Sequence, residues 1–423
     1  MRRLLPKIFR LLLSGKTSSF VFEPQEVTLP PNPSGINLYI HLPFCRQLCP
    51  FCPYVKAVYN HATSAAYKQA IIKELEGYRG RWGNASVESV YFGGGTPSLT
   101  PEIIGETLEW LKRNFHLGGE IGVEVHPLDA TNSVLKSLRD SGVNMVSLGV
   151  QSFNDQRLKA LGRDYDSNLA KEACQRVLGA GFATVDIDLI FAIPGQSVDE
   201  LEDDIGYAVA LGADQLSAYP LMFFAYMPFR QKLERAKAEM PGWWAEREML
   251  KVAVKAASAA GYRRTSIWSF NKPEARRYTT VTKDSFVGVG VGASTMMGDY
   301  FSVNTFSLPE YIRATAKGLK PALAAKLDDR DKLAYWLFWR CYDLAIDTGK
   351  LKQLFGRGLP FPIRGLLPLL KGLGVIERRG DTIYLTESGA YLFHLIEKEY
   401  THAYLERLWG ACLKEAWPKR VVI

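Results

Sequence analysis

Alternation between two hydrophobic periods constrains this chain more than any other feature of its 423 residues. From Ile36 to Leu221, short runs rich in β-branched and aromatic residues read as strands at 36–41, 88–92, 121–125, 145–149, 185–190 and 214–219. Helical periodicity fills most of the gaps, at 63–79, 101–114, 131–140, 167–179 and 198–211. Strands joined through helices run parallel, and a parallel sheet is covered by those helices, so the fold class is α/β. A barrel and an open doubly wound sheet both satisfy this alternation. Polar and glycine residues gather at the strand ends, where an α/β barrel builds its site.

The flanking segments read differently. Residues 1–35 hold an N-terminal segment, MRRLLPKIFRLLLSGK, and a Pro-rich linker. A helical wheel puts Arg3, Lys7 and Arg10 on one side of that segment and Leu4, Leu5, Ile8, Leu11 and Leu12 on the other. Such a helix either docks on the body or lies on a membrane surface, and it is too short to span a bilayer. Residues 36–221 form the alternating domain, 222–325 a mixed extension, and 326–423 a C-terminal module. In the module, helical stretches at 328–345, 362–373 and 387–410 bracket a hairpin that turns at Arg379-Gly380-Asp381, an arrangement similar to a small α+β winged helix. No basic recognition helix accompanies it, so a lid or packing role is expected. With 47% hydrophobic and 23% charged residues the composition excludes low-complexity and polytopic membrane classes. The net charge of +8 is compatible with nucleic acid or anionic lipid, but no nucleic-acid motif supports the former.

Six cysteines are too few for a disulfide framework in a chain of this length. Cys174, Cys341 and Cys412 are scattered among apolar neighbours and read as buried structural thiols. Cys45, Cys49 and Cys52 instead share one short loop, HLPFCRQLCPFCPY, just after the first strand. Three thiolates so placed can hold three irons of a [4Fe-4S] cluster and leave the fourth open to an outside ligand. A structural zinc site needs a fourth ligand, for which His41 is the nearest candidate, but the strand should aim His41 into a barrel.

The Cys-x-x-x-Cys-x-x-Cys loop, YFGGGTPSL at 91–99, Glu124, GVQSF at 149–153 and DIDLIFAIPGQ at 186–196 resemble the radical S-adenosylmethionine (SAM) enzymes. YIHLPFC, LGR at 161–163 and GVGASTMMGDY at 290–300 narrow the resemblance to the oxygen-independent coproporphyrinogen III oxidase-like family. That family includes the radical heme chaperone, heme-degrading enzymes and methyltransferases that use two SAM molecules. The resemblance implies a partial (β/α)6 radical SAM barrel in which a [4Fe-4S] cluster on Cys45, Cys49 and Cys52 cleaves SAM to a 5′-deoxyadenosyl radical. It also implies site roles. Gly93, Gly94, Gly95 and Thr96 would meet the methionyl amino group, and Glu124, Gln151 and Asp188 the ribose hydroxyls or ammonium. Arg163 would take the carboxylate and Tyr39 the sulfonium, while Ala293 and Ser294 belong to a run expected to line a second SAM.

Departures from the family pattern bear on the reaction. Pro53 and Tyr54 follow the cluster loop where coproporphyrinogen oxidases carry another cysteine, which weakens a decarboxylase reading. Met145 and Ala192 replace the usual arginine and glycine. The expected activity is therefore C-methylation, with a second SAM as methyl donor to an sp² carbon of a lipid-soluble aromatic such as menaquinone. Trp243, Trp244, Trp268 and Phe270 are candidate apolar lining for it. The alternative is a tetrapyrrole-modifying enzyme or a heme chaperone. A flavodoxin- or ferredoxin-type reductant is the implied partner. The expected location is the cytoplasm, with peripheral contact to the inner membrane face through residues 1–16.

Overall fold

The computed structural model of the chain describes residues 5–16, 19–31, 33, 35–83, 85–228, 240–279 and 282–423. Helix α1 (Leu5–Ser14) comes first; Arg3 and Leu4 of the expected amphipathic face lie outside the described residues. The alternating domain then runs β1 (Ile36–Leu42), α2 (His61–Trp82), β2 (Ser86–Gly94), α3 (Pro101–Asn114), β3 (His116–Val125), α4 (Asn132–Ser141), β4 (Met145–Gln151), α5 (Asp155–Leu161), α6 (Ser167–Gly179), β5 (Thr184–Phe191), α7 (Val198–Ala210) and β6 (Gln215–Pro220).

β1 to β6 pair in chain order, every pair parallel. A doubly wound sheet reverses its order at a switch point, and this one does not. Right-handed crossovers that always step the same way put every helix on one face, so the twisted sheet curls into a partial barrel. Val287–Val289 extends it in parallel beside β1, and Ser269–Asn271 extends it antiparallel beside β6.

Side-chain alternation sorts the two faces of each strand. Ile40, Phe92, Val123, Leu148, Ile187 and Leu189 are fully buried in the hydrophobic core. The intervening positions carry Tyr39, Tyr91, Glu124, Ser147, Asp186 and Asp188, which all line one interior cavity. Helix ends follow local chemistry: Pro101 opens α3, Thr131 caps α4, which ends on left-handed Gly142, and Ser197 with Glu200 forms a capping box on α7.

Several elements differ from the sequence reading. β2 and β3 run on through glycines that weaken a strand pattern: Gly93 and Gly94 are paired with His41 and Leu42 of β1, and Gly118 and Gly119 of β3 lie at a register shift against β2. α5 and the helix Thr348–Phe355 fall outside the expected helical stretches, being too short for periodicity to register. In the C-terminal module the hairpin strands Ile376–Arg379 and Thr382–Leu385 are joined by Ala345–Asp347 into a three-stranded sheet, as in a winged helix. The long terminal helix is interrupted: Glu387–Tyr400 passes through a π-turn, Thr401–Leu405, before continuing as Glu406–Lys414.

α1 docks on this module. Phe9 packs edge-on against Phe338 and Phe393, Leu13 is buried, and Lys16 pairs with Asp328 and Asp331. Arg10 is a correction to the expected solvent-facing basic side: it is 6% exposed and its guanidinium stacks on Phe20. Ile8 and Leu11 point outward instead. No helix among the described residues is long and apolar enough to cross a membrane.

Candidate active site

A cavity of about 750 Å³ opens at the strand ends of the barrel and is roofed by the C-terminal helices. The cysteine loop forms part of its wall. The loop leaves β1 at Pro43, and its base is closed by parallel bridging of Phe44–Cys45 to Ala57–Val58, with the Tyr59 amide donating to the Cys45 carbonyl at 2.9 Å. Phe44 is fully buried against Tyr67 and Tyr59, which anchors the loop to the core. The Cys52 amide donates to the Cys49 carbonyl at 3.3 Å, so the last two cysteines share a tight turn.

All three thiols reach the cavity. Burial pushes Cys45 up to about 11, opposed by the Thr96 hydroxyl at 3.6 Å, and burial also raises Cys52, opposed by Lys56. Buried thiols of this kind ionise when a cation takes them up. Among the described residues no three His, Cys, Asp or Glu side chains converge on a single ion. In a cluster each cysteine binds a different iron, whereas a zinc site draws its ligands onto one ion. His41 supplies no fourth zinc ligand: Nε2 donates to the Val55 carbonyl at 2.8 Å, leaving Nδ1 to accept from the Tyr39 hydroxyl at 3.0 Å. Burial lowers its pKa to about 4, so it stays neutral.

The glycine run is shaped by protein contacts as much as by space for a ligand. A Cβ at Gly95 would stand 2.6 Å from the Pro43 carbonyl, and one at Gly94 2.6 Å from the His41 ring. Gly94, Gly95 and Thr96 border the cavity, whereas Gly93 is packed under Glu124 and Tyr91 and does not. Glu124 accepts from the Tyr91 hydroxyl at 2.8 Å and from the Gly94 amide at 3.1 Å; burial holds its carboxyl up at about 7. Tyr39 stacks on Tyr91 at the cavity wall. Gln151 ends β4 at a register shift with φ of 71°, a strained left-handed backbone that turns its side chain back over Gly149.

Arg163 reaches the Cys49 sulfur at 3.4 Å and donates to the Gly149 carbonyl at 2.7 Å and the Tyr165 hydroxyl at 2.9 Å. Asp188 accepts from Ser147 at 2.6 Å beside a second buried carboxyl, Asp186, and burial raises both. Sequence reasoning missed Asp186, Ser147 and Tyr91. The signal was available, because Asp186 and Asp188 lie two residues apart and must share a strand face.

In the glycine-rich run, the Gly290 amide donates to Glu74, the Val291 amide to Tyr67 and the Gly292 amide to the Thr305 carbonyl. Gly292 and Ser294 border the cavity, while Ala293 is buried away from it. Of the expected aromatic lining, Trp268 reaches the cavity. Phe270 is in the core, and Trp243 and Trp244 are surface residues about half exposed. Periodicity could not find the actual roof: Tyr54, Phe224 and Phe306 gather around Trp409, with Phe338, Tyr400 and Tyr404 beside them.

Residues 39–208 match the Radical SAM superfamily. The chain is 27% identical to the heme chaperone HemW of Bacillus subtilis, covering 84% of this chain and 96% of that one. It is 28% identical to the oxygen-independent coproporphyrinogen III oxidase of Pseudomonas aeruginosa, over 85% of this chain and 84% of that one. The structure of the coproporphyrinogen III oxidase HemN from Escherichia coli, a radical SAM enzyme, superposes with a TM-score of 0.73 at 25% identity, over 88% and 91% of the two chains. The cofactors of a radical SAM protein are a [4Fe-4S] cluster and SAM. The three loop thiols fit the first, and the cavity-facing carboxyls Glu124 and Asp188, held by Tyr91 and Ser147, fit the ammonium and ribose of the second.

Proposed function

Because this chain is a radical SAM protein of the oxygen-independent coproporphyrinogen III oxidase-like family, we propose that it takes a tetrapyrrole into the cavity above the cluster loop. The observation that carries this is the cavity itself: about 750 Å³, with aromatic walls from Phe224, Phe306, Tyr400 and Trp409 on one side and the cysteine loop on the other. A flat conjugated ring gains both area and stacking from such walls. When bound, the cluster supplies the electron that cleaves SAM. The chain's own residues position SAM through Glu124, Asp188 and Gln151, hold Cys49 through Arg163, and exclude water with the aromatic roof. Relatives that this chain resembles include both an oxidase and a heme chaperone.

The test is anaerobic incubation of the reconstituted protein with labelled SAM and coproporphyrinogen III or heme. Substrate-dependent 5′-deoxyadenosine supports an oxidase-like reaction, and tight heme binding without it supports delivery. Binding of neither tetrapyrrole removes the reading. Methyl transfer to a quinone, which the sequence departures favoured, is retained as a second arm of the same incubation, read as S-adenosylhomocysteine and label in quinone. A second SAM against the wall formed by Gly292 and Ser294 belongs with that arm; equilibrium binding of one SAM per chain discards it.

A further inference from the structure

Three charged side chains from the two ends of the chain line the otherwise aromatic side of the cavity: Arg10 on α1, Asp331 and Glu397. Arg10 is 6% exposed and the two acids 7% each, and each holds a buried polar atom with no hydrogen-bond partner: Arg10 Nε, Asp331 Oδ1 and Glu397 Oε2. A buried charged donor left unmet is costly, so a fold that keeps one has a use for it. The Tyr400 phenol is within electrostatic reach of both Arg10 and Asp331, and Glu397 lies one helical turn before Tyr400.

Their charges are not equally available. Asp331 is answered by Lys16, whose Nζ lies 2.8 Å from Oδ2. Glu397 accepts from the Thr401 hydroxyl at 3.0 Å, and burial raises its carboxyl, so it can offer a proton from Oε2. Arg10 rests on the Phe20 ring, 3.7 Å from its centroid, and that face-on contact leaves the guanidinium edge for a planar oxyanion.

We propose that Arg10 anchors a carboxylate of the ring ligand in this cavity, with the Glu397 carboxyl completing the hydrogen bonds to it. This makes α1 a wall of the binding site. The inference rests on the tetrapyrrole reading above and specifies that the ligand enters with an acidic side chain toward the chain ends. The class of ligand is a flat apolar ring bearing a free carboxylate.

The test compares coproporphyrin III with its tetramethyl ester, both in the same detergent, titrated against the full-length reconstituted protein by quenching of tryptophan fluorescence. The acid should bind at least about tenfold more tightly than the ester, as expected of a charge-assisted hydrogen bond in a buried site. Arg10→Gln should abolish the preference and leave ester affinity unchanged, while Arg10→Lys should retain part of it. Wild type that binds both equally overturns the inference without any variant, which covers the case in which Arg10→Gln fails to fold. An undiminished preference in Arg10→Gln, or equal loss of acid and ester, also overturns it while leaving the tetrapyrrole reading standing. Wild type that binds neither compound overturns both.

Discussion

At Gly95 one methyl group separates a working cluster loop from a broken one. The added Cβ of Gly95→Ala would meet backbone, 2.6 Å from the Pro43 carbonyl, where no side chain can swing aside. The expected cost is about 2–3 kcal/mol, seen as a lower melting temperature together with reduced iron uptake on anaerobic reconstitution. Cys45→Ala should lose the cluster absorption band while keeping the fold, because the loop's base is closed by backbone bonds that do not need the sulfur. Glu124 carries a pH dependence. Unfolded, its carboxyl ionises near 4.5, and folded it keeps its proton to about 7. Between those values the folded state binds the extra proton, so stability falls as pH rises through that window and is level above it. Against Glu124→Gln, the protein without SAM should lose about 3 kcal/mol across this range in denaturant melts at successive pH values, at about 1.4 kcal/mol per pH unit. An unchanging difference between the two would contradict the assignment.

At the level of elements, α1 shows how a correct pattern can be assigned to the wrong faces. Its amphipathic period was visible, but which face meets the protein depends on what it meets. Phe9 packs on Phe338 and Phe393, Leu13 is buried beside it, and Arg10 is carried inward with them. Leu13→Ala should cost about 3 kcal/mol in thermal or chemical unfolding, whereas replacing exposed Ile8 by Glu should leave stability unchanged within about 0.5 kcal/mol. The membrane-surface role expected of this helix keeps only its outward Ile8 and Leu11. The π-turn at Thr401–Leu405 is the opposite case, since nothing in the period of 387–410 announces it. Thr401, Tyr404 and Leu405 of that turn all border the cavity.

For the molecule as a whole, the two chain ends close the cavity jointly. Val21 and Phe22 pair antiparallel with Val422 and Val421, and Phe20 and Ile423 exchange backbone bonds at 2.8 and 3.0 Å. Deleting residues 420–423 should therefore raise amide exchange at Phe20 and Phe22, far away in sequence, and weaken ligand binding in the cavity while leaving iron uptake intact.

The sequence by itself determined the parallel α/β domain, because alternating periods are local and each strand's two faces follow from a spacing of two residues. It also determined the cluster loop, since the three thiols lie within a single turn of chain, and the polar residues at the ends of β3, β4 and β5. Tertiary structure alone decided the order of the sheet, which separates barrel from doubly wound fold through pairings between distant strands, such as Leu38 with Val90 and Gly122 with Met145. It also decided which aromatics roof the cavity and that Arg10 is buried there. Those contacts join positions hundreds of residues apart, such as Tyr54 with Trp409 and Lys16 with Asp331, and no local period encodes a partner at that separation.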